Sequence, residues 1–320
     1  MSKKSGNSPF TFSYCEDLRA LPDKAAAAEE NLHGGFAVDK RPGYGHVYYG
    51  MPDYGLMKVS PDLASQETIE LPPDLKPLNF HSTKIGMFDG NVRLLMPANN
   101  DSKVAVLTID GDVEYVFEQP EFDEYQKEGA AFHPTDLTLI DSKLYVADGY
   151  GANYISIADL ADRKWSAIFG GKSDDPTELG KYGTAHGLNP TPEGGTLAIA
   201  DRPHSRFEIV SFEGEVRQNY TLPAGSKPCG IDYMNYKGKW YAAVGSLDDP
   251  QEGRPAPIYI LDAQTYQVLS TIRAKDDLGV ERADHIHNVV WHEHNGDVYL
   301  VCQAWSPGYY FVLKLEDHAG

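Results

Sequence analysis

His186-Gly-Leu-Asn-Pro190 leads across a turn into the apolar run Leu197-Ala-Ile-Ala-Asp201, and this small unit recurs down the chain. Its counterparts begin at His33-Gly-Gly-Phe-Ala-Val-Asp39, His81-Ser-Thr-Lys-Ile-Gly-Met87, His133-Pro-Thr-Asp-Leu-Thr-Leu139, Cys229-Gly-Ile-Asp-Tyr-Met234 and His287-Asn-Val-Val-Trp291. The apolar strands that follow are His46–Tyr49, Val92–Met96, Leu144–Asp148, Trp240–Val244 and Val298–Cys302. From His81 to Met96, His133 to Asp148, His186 to Asp201 and His287 to Cys302 the separation is 15 residues each time. The anchors themselves lie 48, 52, 53, 43 and 58 residues apart. Units of that length with several short strands each are the signature of a β-propeller. The third unit shows four strands, Asp136–Ile140, Leu144–Asp148, Tyr154–Asp159 and Trp165–Phe169, with alternation in Tyr154-Ile-Ser-Ile-Ala158 and turns at Gly, Asp and Asn. The fourth repeats the plan at Thr196–Asp201, Phe207–Ser211 and Val216–Leu222.

Six such units predict an all-β, six-bladed propeller over residues 1–320 as one domain, with residues 1–28 as an N-terminal segment. The last unit ends near Leu315, so Phe10-Thr-Phe-Ser-Tyr14, which alternates, is expected to supply the outer strand that closes the ring. Ala25–Glu30 reads as a short helical turn before the first blade. No linker or low-complexity tract interrupts the spacing, which argues against two separate sandwiches. A propeller reaches this length by adding small cores around a ring.

Composition narrows the function. Hydrophobic residues are 41% and charged residues 23%, as in ordinary globular chains. A net charge of −19 and a pI near 4.9 disfavour nucleic acid, whose phosphates need a basic surface. No apolar stretch has membrane-spanning length, and no apolar core follows Met1-Ser-Lys-Lys-Ser-Gly as in a secretory signal. Three scattered cysteines, Cys15, Cys229 and Cys302, do not read as a disulfide framework, and a cytoplasmic location is expected.

The anchors suggest chemistry. Only 11 histidines occur in 320 residues, yet five stand at one phase of six units, with the thiol of Cys229 at the sixth. The innermost strand of each blade lines the channel, and alternate blades lie about 120° apart in a six-fold ring. His81, His186 and His287, on blades two, four and six, are therefore predicted to form a tripod of imidazoles around the axis. A lone histidine there would be a buried residue with its hydrogen bonds met; three on alternate blades point to ligation. Three neutral nitrogens leave a tetrahedral ion one open position, the arrangement of catalytic zinc. His33, His133 and Cys229 form the complementary triangle. They read as side chains that hydrogen-bond and orient the ligands or relay a proton, or as a second metal set, although two dications on one axis repel. His285, two residues before His287, is expected to share its face. His204, His292, His294 and His318 read as loop or surface residues.

Tyr150 ends a second strand after Asp148-Gly149, and Arg202 holds the matching place one blade on, in Ala200-Asp-Arg-Pro-His-Ser-Arg206. A tyrosine beside a dication can serve as general base, and an arginine can hold a carboxylate through two parallel bonds. The alternatives are a tyrosine packed on a blade and an arginine ion-paired with Asp201 or a neighbour.

At these residues the chain resembles the peptidyl-α-hydroxyglycine α-amidating lyases, six-bladed propellers with NHL-type repeats. The similarity lies in Asn79-Phe-His81, Pro134-Thr-Asp136 with Tyr145-Val-Ala-Asp-Gly-Tyr150, Ala185-His-Gly-Leu188 with Ala200-Asp-Arg202, and Ile286-His-Asn288, spread over roughly residues 75 to 315. The resemblance implies zinc on His81, His186 and His287, Tyr150 as base, and Arg202 binding a substrate carboxylate or hydroxyl. In that family a carbinolamide C–N bond breaks to give an amide and glyoxylate. Several positions depart from the pattern. Tyr48-Tyr-Gly-Met-Pro52 offers no arginine where the family has its second one. His285 replaces a methionine, and Gly151 a disulfide cysteine. Asn288 replaces an aspartate linked to a structural Ca2+.

The expected activity is thus that of a zinc-dependent lyase acting on a hydroxylated small molecule, carboxylate-bearing in the fullest form of the reading. Metal-dependent ester or lactone hydrolysis is the second enzyme class. Oxygen chemistry on Fe2+ held by histidines is the third. A non-catalytic NHL-type scaffold that binds a protein is the remaining alternative, and it would place apolar or small residues at the anchors.

Overall fold

The computed structural model describes residues 3–316. His318 and the first two residues of the N-terminal segment lie outside them. The chain forms six antiparallel sheets arranged as a six-bladed β-propeller, five of four strands and one of five. Blade three is Asp136–Ile140, Lys143–Ala147, Tyr154–Asp159 and Lys164–Gly170; blade four is Ala185–Pro190, Thr196–Asp201, Arg206–Ser211 and Val216–Thr221. In each blade the segment carrying an anchor leads into, or forms, the innermost strand.

Period-two alternation explains why the sheets stack. In blade three, Tyr145 and Ala147 pack toward blade four with Leu188, Leu197 and Ile199. Leu144 and Val146 on the same strand pack the other way, with Leu95, Val104 and Val106 of blade two. Each blade therefore contributes one face to each neighbour, and six apolar clusters occupy the six interfaces between blades.

Phe10–Tyr14 joins the last blade, pairing Phe12 with Leu315 and Tyr14 with Leu313. Phe10 and Phe12 are fully buried against Trp291, and Ser5–Asn7 pairs with Phe10–Phe12. The closing strand is held by side-chain burial as well as by its ladder. The innermost strand of blade six, Ile286–His294, touches Ala37–Val38 of blade one and completes the ring. The segment expected as a helical turn is a one-turn α-helix at Asp23–Ala27 followed by a 3-10 turn at Glu29–Asn31.

One acid-sensitive contact lies in blade five, away from the channel. Asp262 accepts hydrogen bonds from the Gln264 and Thr265 amides at 2.9 and 3.0 Å and pairs with Lys239 at 2.6 Å. Burial works to raise its pKa, but Lys239 and the two amides outweigh that and hold the carboxyl down at about 2. A carboxyl depressed in the folded state adds stability above its unfolded value, and that contribution is lost as pH falls toward 2. Unfolding in urea between pH 4 and 2 should show a loss of ~1 kcal/mol from this group, after allowance for screening at the exposed lysine. Asp262→Asn should lack that part of the acid dependence; an unchanged profile would rule it out.

Candidate metal centre

The anchors converge as side chains. His81 lies just before Lys84–Phe88, its N–H bonded to Pro97 O at 2.9 Å. His186 and His287 lie on the innermost strands of blades four and six. In both strands the ladder slips at the histidine, between Ala185 and Gly187 and between Ile286 and Asn288. The histidine is thus the extra residue of a bulge, the device that re-aims a side chain. The rings of His81, His186 and His287 stand 4.7 to 4.9 Å apart, centroid to centroid, and each residue is 2% exposed.

Two of the three are oriented by backbone. His81 Nδ1 donates to Thr135 O of blade three at 2.7 Å, and His186 Nδ1 donates to Cys229 O of blade five. His81 and His186 are each braced by the next odd blade, which fixes the tautomer and leaves Nε2 with a free lone pair, as in metal-binding histidines. Gly187 makes the second brace possible, since a Cβ there would stand 2.5 Å from that same Cys229 oxygen. His287 has no hydrogen-bond partner on either nitrogen, and His33 has none on Nε2, although all are buried. Burial pushes His81, His186 and His287 well below the ordinary imidazole pKa, and neighbouring His33 or Arg202 adds to it. The imidazoles are therefore neutral, the form that ligates.

Tyr150 and Arg202 complete the arrangement. The Tyr150 hydroxyl lies 3.3 Å from His81 Nε2 and 3.0 Å from His186 Nε2, between the two lone pairs. Its residue is 38% exposed, so the tyrosine stands at the channel mouth with its hydroxyl turned inward. Burial raises its pKa, while Arg202 works the other way through a 3.2 Å bond from Nη1 to the Tyr150 oxygen. Arg202 Nη2 reaches Cys229 Sγ at 3.4 Å, and its Nε is buried without a partner. The ion pair with Asp201 weighed from the sequence is not made. Asp201 is bonded instead to His204 at 2.6 Å and Arg206 at 2.9 Å. Among the described residues Arg202 is a buried guanidinium whose hydrogen bonds reach no carboxylate, an arrangement that favours a bound anion.

Several expectations are corrected. The complementary triangle does not assemble. His33 turns into the even-blade cluster, 4.5 Å from the His81 ring and 4.7 Å from that of His287. His133 is committed to Asn99 O at 2.8 Å. Cys229 faces Arg202 with a thiol pKa raised by burial, and so serves as carbonyl and packing rather than as thiolate. His285 does not share the face of His287, because the bulge between Ile286 and Asn288 breaks the two-residue period; its Nδ1 faces Leu247 O at 2.7 Å and Asp248 at 3.1 Å. His292 is no surface residue. It is 1% exposed and bonds to Pro61 O at 2.7 Å. Asn288 uses its side-chain oxygen on Phe36 N–H at 3.1 Å, and the lumen it lines also holds the Lys84 ammonium, 3.3 Å from Asp136.

Three contributors were missed. Trp305 stacks on His33 at 3.8 Å, Asn79 meets His33 Nδ1 at 2.9 Å, and Thr135 braces His81. Trp305 follows its blade's second strand as Arg202 does, so the phase of the repeat could have found it. Thr135 acts through its main chain, which carries no residue signal.

No protein-family model matches the chain, and no curated protein matches it in sequence. The donor set itself therefore decides whether a metal fits. Ligand atoms of His33, His81 and His287 all lie within 4.8 Å of one another, so the close set holds His33 where His186 was expected; His186 approaches His81 and His287 by its ring, at 4.8 and 4.9 Å. Neutral buried imidazoles with unsatisfied nitrogens are costly without a partner and suited to a divalent ion.

Proposed function

We propose that this chain is a metal-dependent enzyme, a lyase in the first instance, acting on a small hydroxylated molecule that carries a carboxylate. The observation that carries this reading is the convergence of two oriented imidazole lone pairs on the Tyr150 hydroxyl, beside a guanidinium without a carboxylate partner. His81, His186 and His287 would hold the ion, zinc by the tetrahedral preference of a three-nitrogen site. When bound, such an ion supplies a Lewis acid that acidifies a substrate hydroxyl.

The remaining steps belong to the chain's own residues. Arg202 takes the substrate carboxylate through its unpartnered Nε edge and keeps its bond to the Tyr150 oxygen, where it stabilises a phenolate. Tyr150 as phenolate removes the hydroxyl proton. The oxygen's electron pair forms the carbonyl as the adjacent C–N bond breaks, and the departing amide nitrogen takes a proton back from Tyr150. For an α-hydroxyglycine derivative the products are an amide and glyoxylate, and the atoms balance without a further reagent. Enclosure of the tyrosine hydroxyl among buried rings limits competing water.

The test is made on protein purified without a metal-affinity tag. Elemental analysis should find about one divalent ion per chain, and α-hydroxyglycine derivatives should release glyoxylate. Turnover confined to esters or lactones would replace the lyase reading by the hydrolase. Protein that neither carries nor takes up a divalent ion would end both.

A further inference from the structure

His33 was expected apart from the metal-binding set, yet it stands within it. Its ring lies as close to His81 and His287 as theirs do to each other, and its ligand atom falls within 4.8 Å of theirs. His186 completes a second triangle with the same two residues at 4.8 and 4.9 Å. His81 and His287 are shared, with His33 and His186 as the two further imidazoles.

We infer that His33 is a fourth ligand of the same centre, so that the resident ion is one that accepts more than four donors. The inference rests on the metal-dependent reading above and deepens it, replacing zinc on three histidines by an ion of higher coordination number on four. A histidine that merely supported the ligands would hydrogen-bond to one of them. The hydrogen bond of the His33 ring goes to Asn79, and its Nε2 is buried with no partner. The ring is clamped between Trp305, stacked at 3.8 Å and 22°, and the neighbouring imidazoles, and the residue is only 6% exposed. Such confinement spends side-chain entropy and desolvates a polar nitrogen, and a metal–nitrogen bond would offset both. Asn79 Nδ2 meets both His33 Nδ1 at 2.9 Å and Asn99 Oδ1 at 3.1 Å; with both amides turned together, Asn79 Oδ1 accepts from Nδ1–H and from the Asn99 amide, and the free lone pair falls on Nε2. Burial, reinforced by Arg202, lowers this imidazole to about 4, so it is neutral and able to ligate at neutral pH.

The consequence is chemical. Four imidazoles would fill a tetrahedral zinc ion and leave no place for substrate. First-row ions that accept five or six donors, such as Fe2+, Mn2+ or Co2+, keep a place open. Tyr150 and Arg202 stand beside this cluster, the tyrosine hydroxyl against His81 and His186, where they would meet a substrate held at such a place.

Cobalt reports coordination number directly. Metal-free protein titrated with Co2+ should give the weak visible bands of a five- or six-coordinate ion. His33→Gln should bind Co2+ more than ~100-fold more weakly, beyond the usual effect of an outer-shell change, and should shift to the intense bands of a four-coordinate site. His33→Ala serves as the second variant, with circular dichroism to confirm folding. Intense four-coordinate bands in the wild type overturn this inference while the metal-dependent reading stands, and that spectrum decides even if neither variant folds. Unchanged affinity in a folded His33 variant also overturns it. A wild type that binds no Co2+ or Zn2+ overturns the metal-dependent reading itself.

Discussion

Tyr150→Phe is expected to lower turnover ~10²–10⁴-fold, the usual cost of removing a general base, while metal content and thermal stability stay near wild type. The reasoning separates the ring from its hydroxyl. The ring packs edge-on against His81 and His186 at 5.0 and 5.4 Å, and phenylalanine keeps those contacts. The hydroxyl is the group that lies between the two Nε2 atoms and accepts from Arg202. Its loss frees those lone pairs and so does not weaken ligation. Steady-state kinetics on the substrate found, with elemental analysis of the same sample, measures both halves. Full activity in the variant would move the chemistry to a metal-bound water that needs no tyrosine.

His81→Ala is expected to abolish stable metal binding, with affinity down by more than ~100-fold, beyond what loss of an outer-shell partner costs. Its ring is within 4.5 to 4.8 Å of His33, His186 and His287, so its removal disrupts both triangles at once. His186→Ala disrupts only one and should lose less. Cys229→Ser is the contrast. Its side chain meets Arg202 and the Lys227 carbonyl, contacts a serine oxygen can make, while the carbonyl that braces His186 is main chain and unaffected. Competition titration against a chelator separates the three. Full occupancy in His81→Ala, or loss of metal in Cys229→Ser, would show that the ligands are wrongly assigned.

The closing strand shows how far local pattern reaches. Phe10-Thr-Phe-Ser-Tyr14 alternates, and the last repeat lacked an outer strand, so the pairing with Tyr309–Leu315 was legible. The approach of the His81, His186 and His287 rings was legible for a similar reason, since equal phase in equivalent blades places residues at a similar height on one axis. His33 was misgrouped by the same rule. It precedes its two-residue inner strand, Ala37–Val38, in a segment where no ladder dictates side-chain direction. His285 was misread because a bulge resets the alternation that the argument assumed.

The sequence by itself determined the architecture, the order of the blades, the strand that closes them and the meeting of the His81, His186 and His287 rings. These follow from apolar periodicity and repeat length, which are properties of residue order along the chain. The tertiary structure alone decided that His33 joins the cluster, that Arg202 is left without a carboxylate, and that His81 and His186 present Nε2. Those outcomes rest on bulges, on the main-chain carbonyls of Thr135 and Cys229, and on contacts between blades about 50 residues apart in the chain. A carbonyl oxygen is the same in every residue, so the partner that fixes a tautomer is invisible until the backbone is in place.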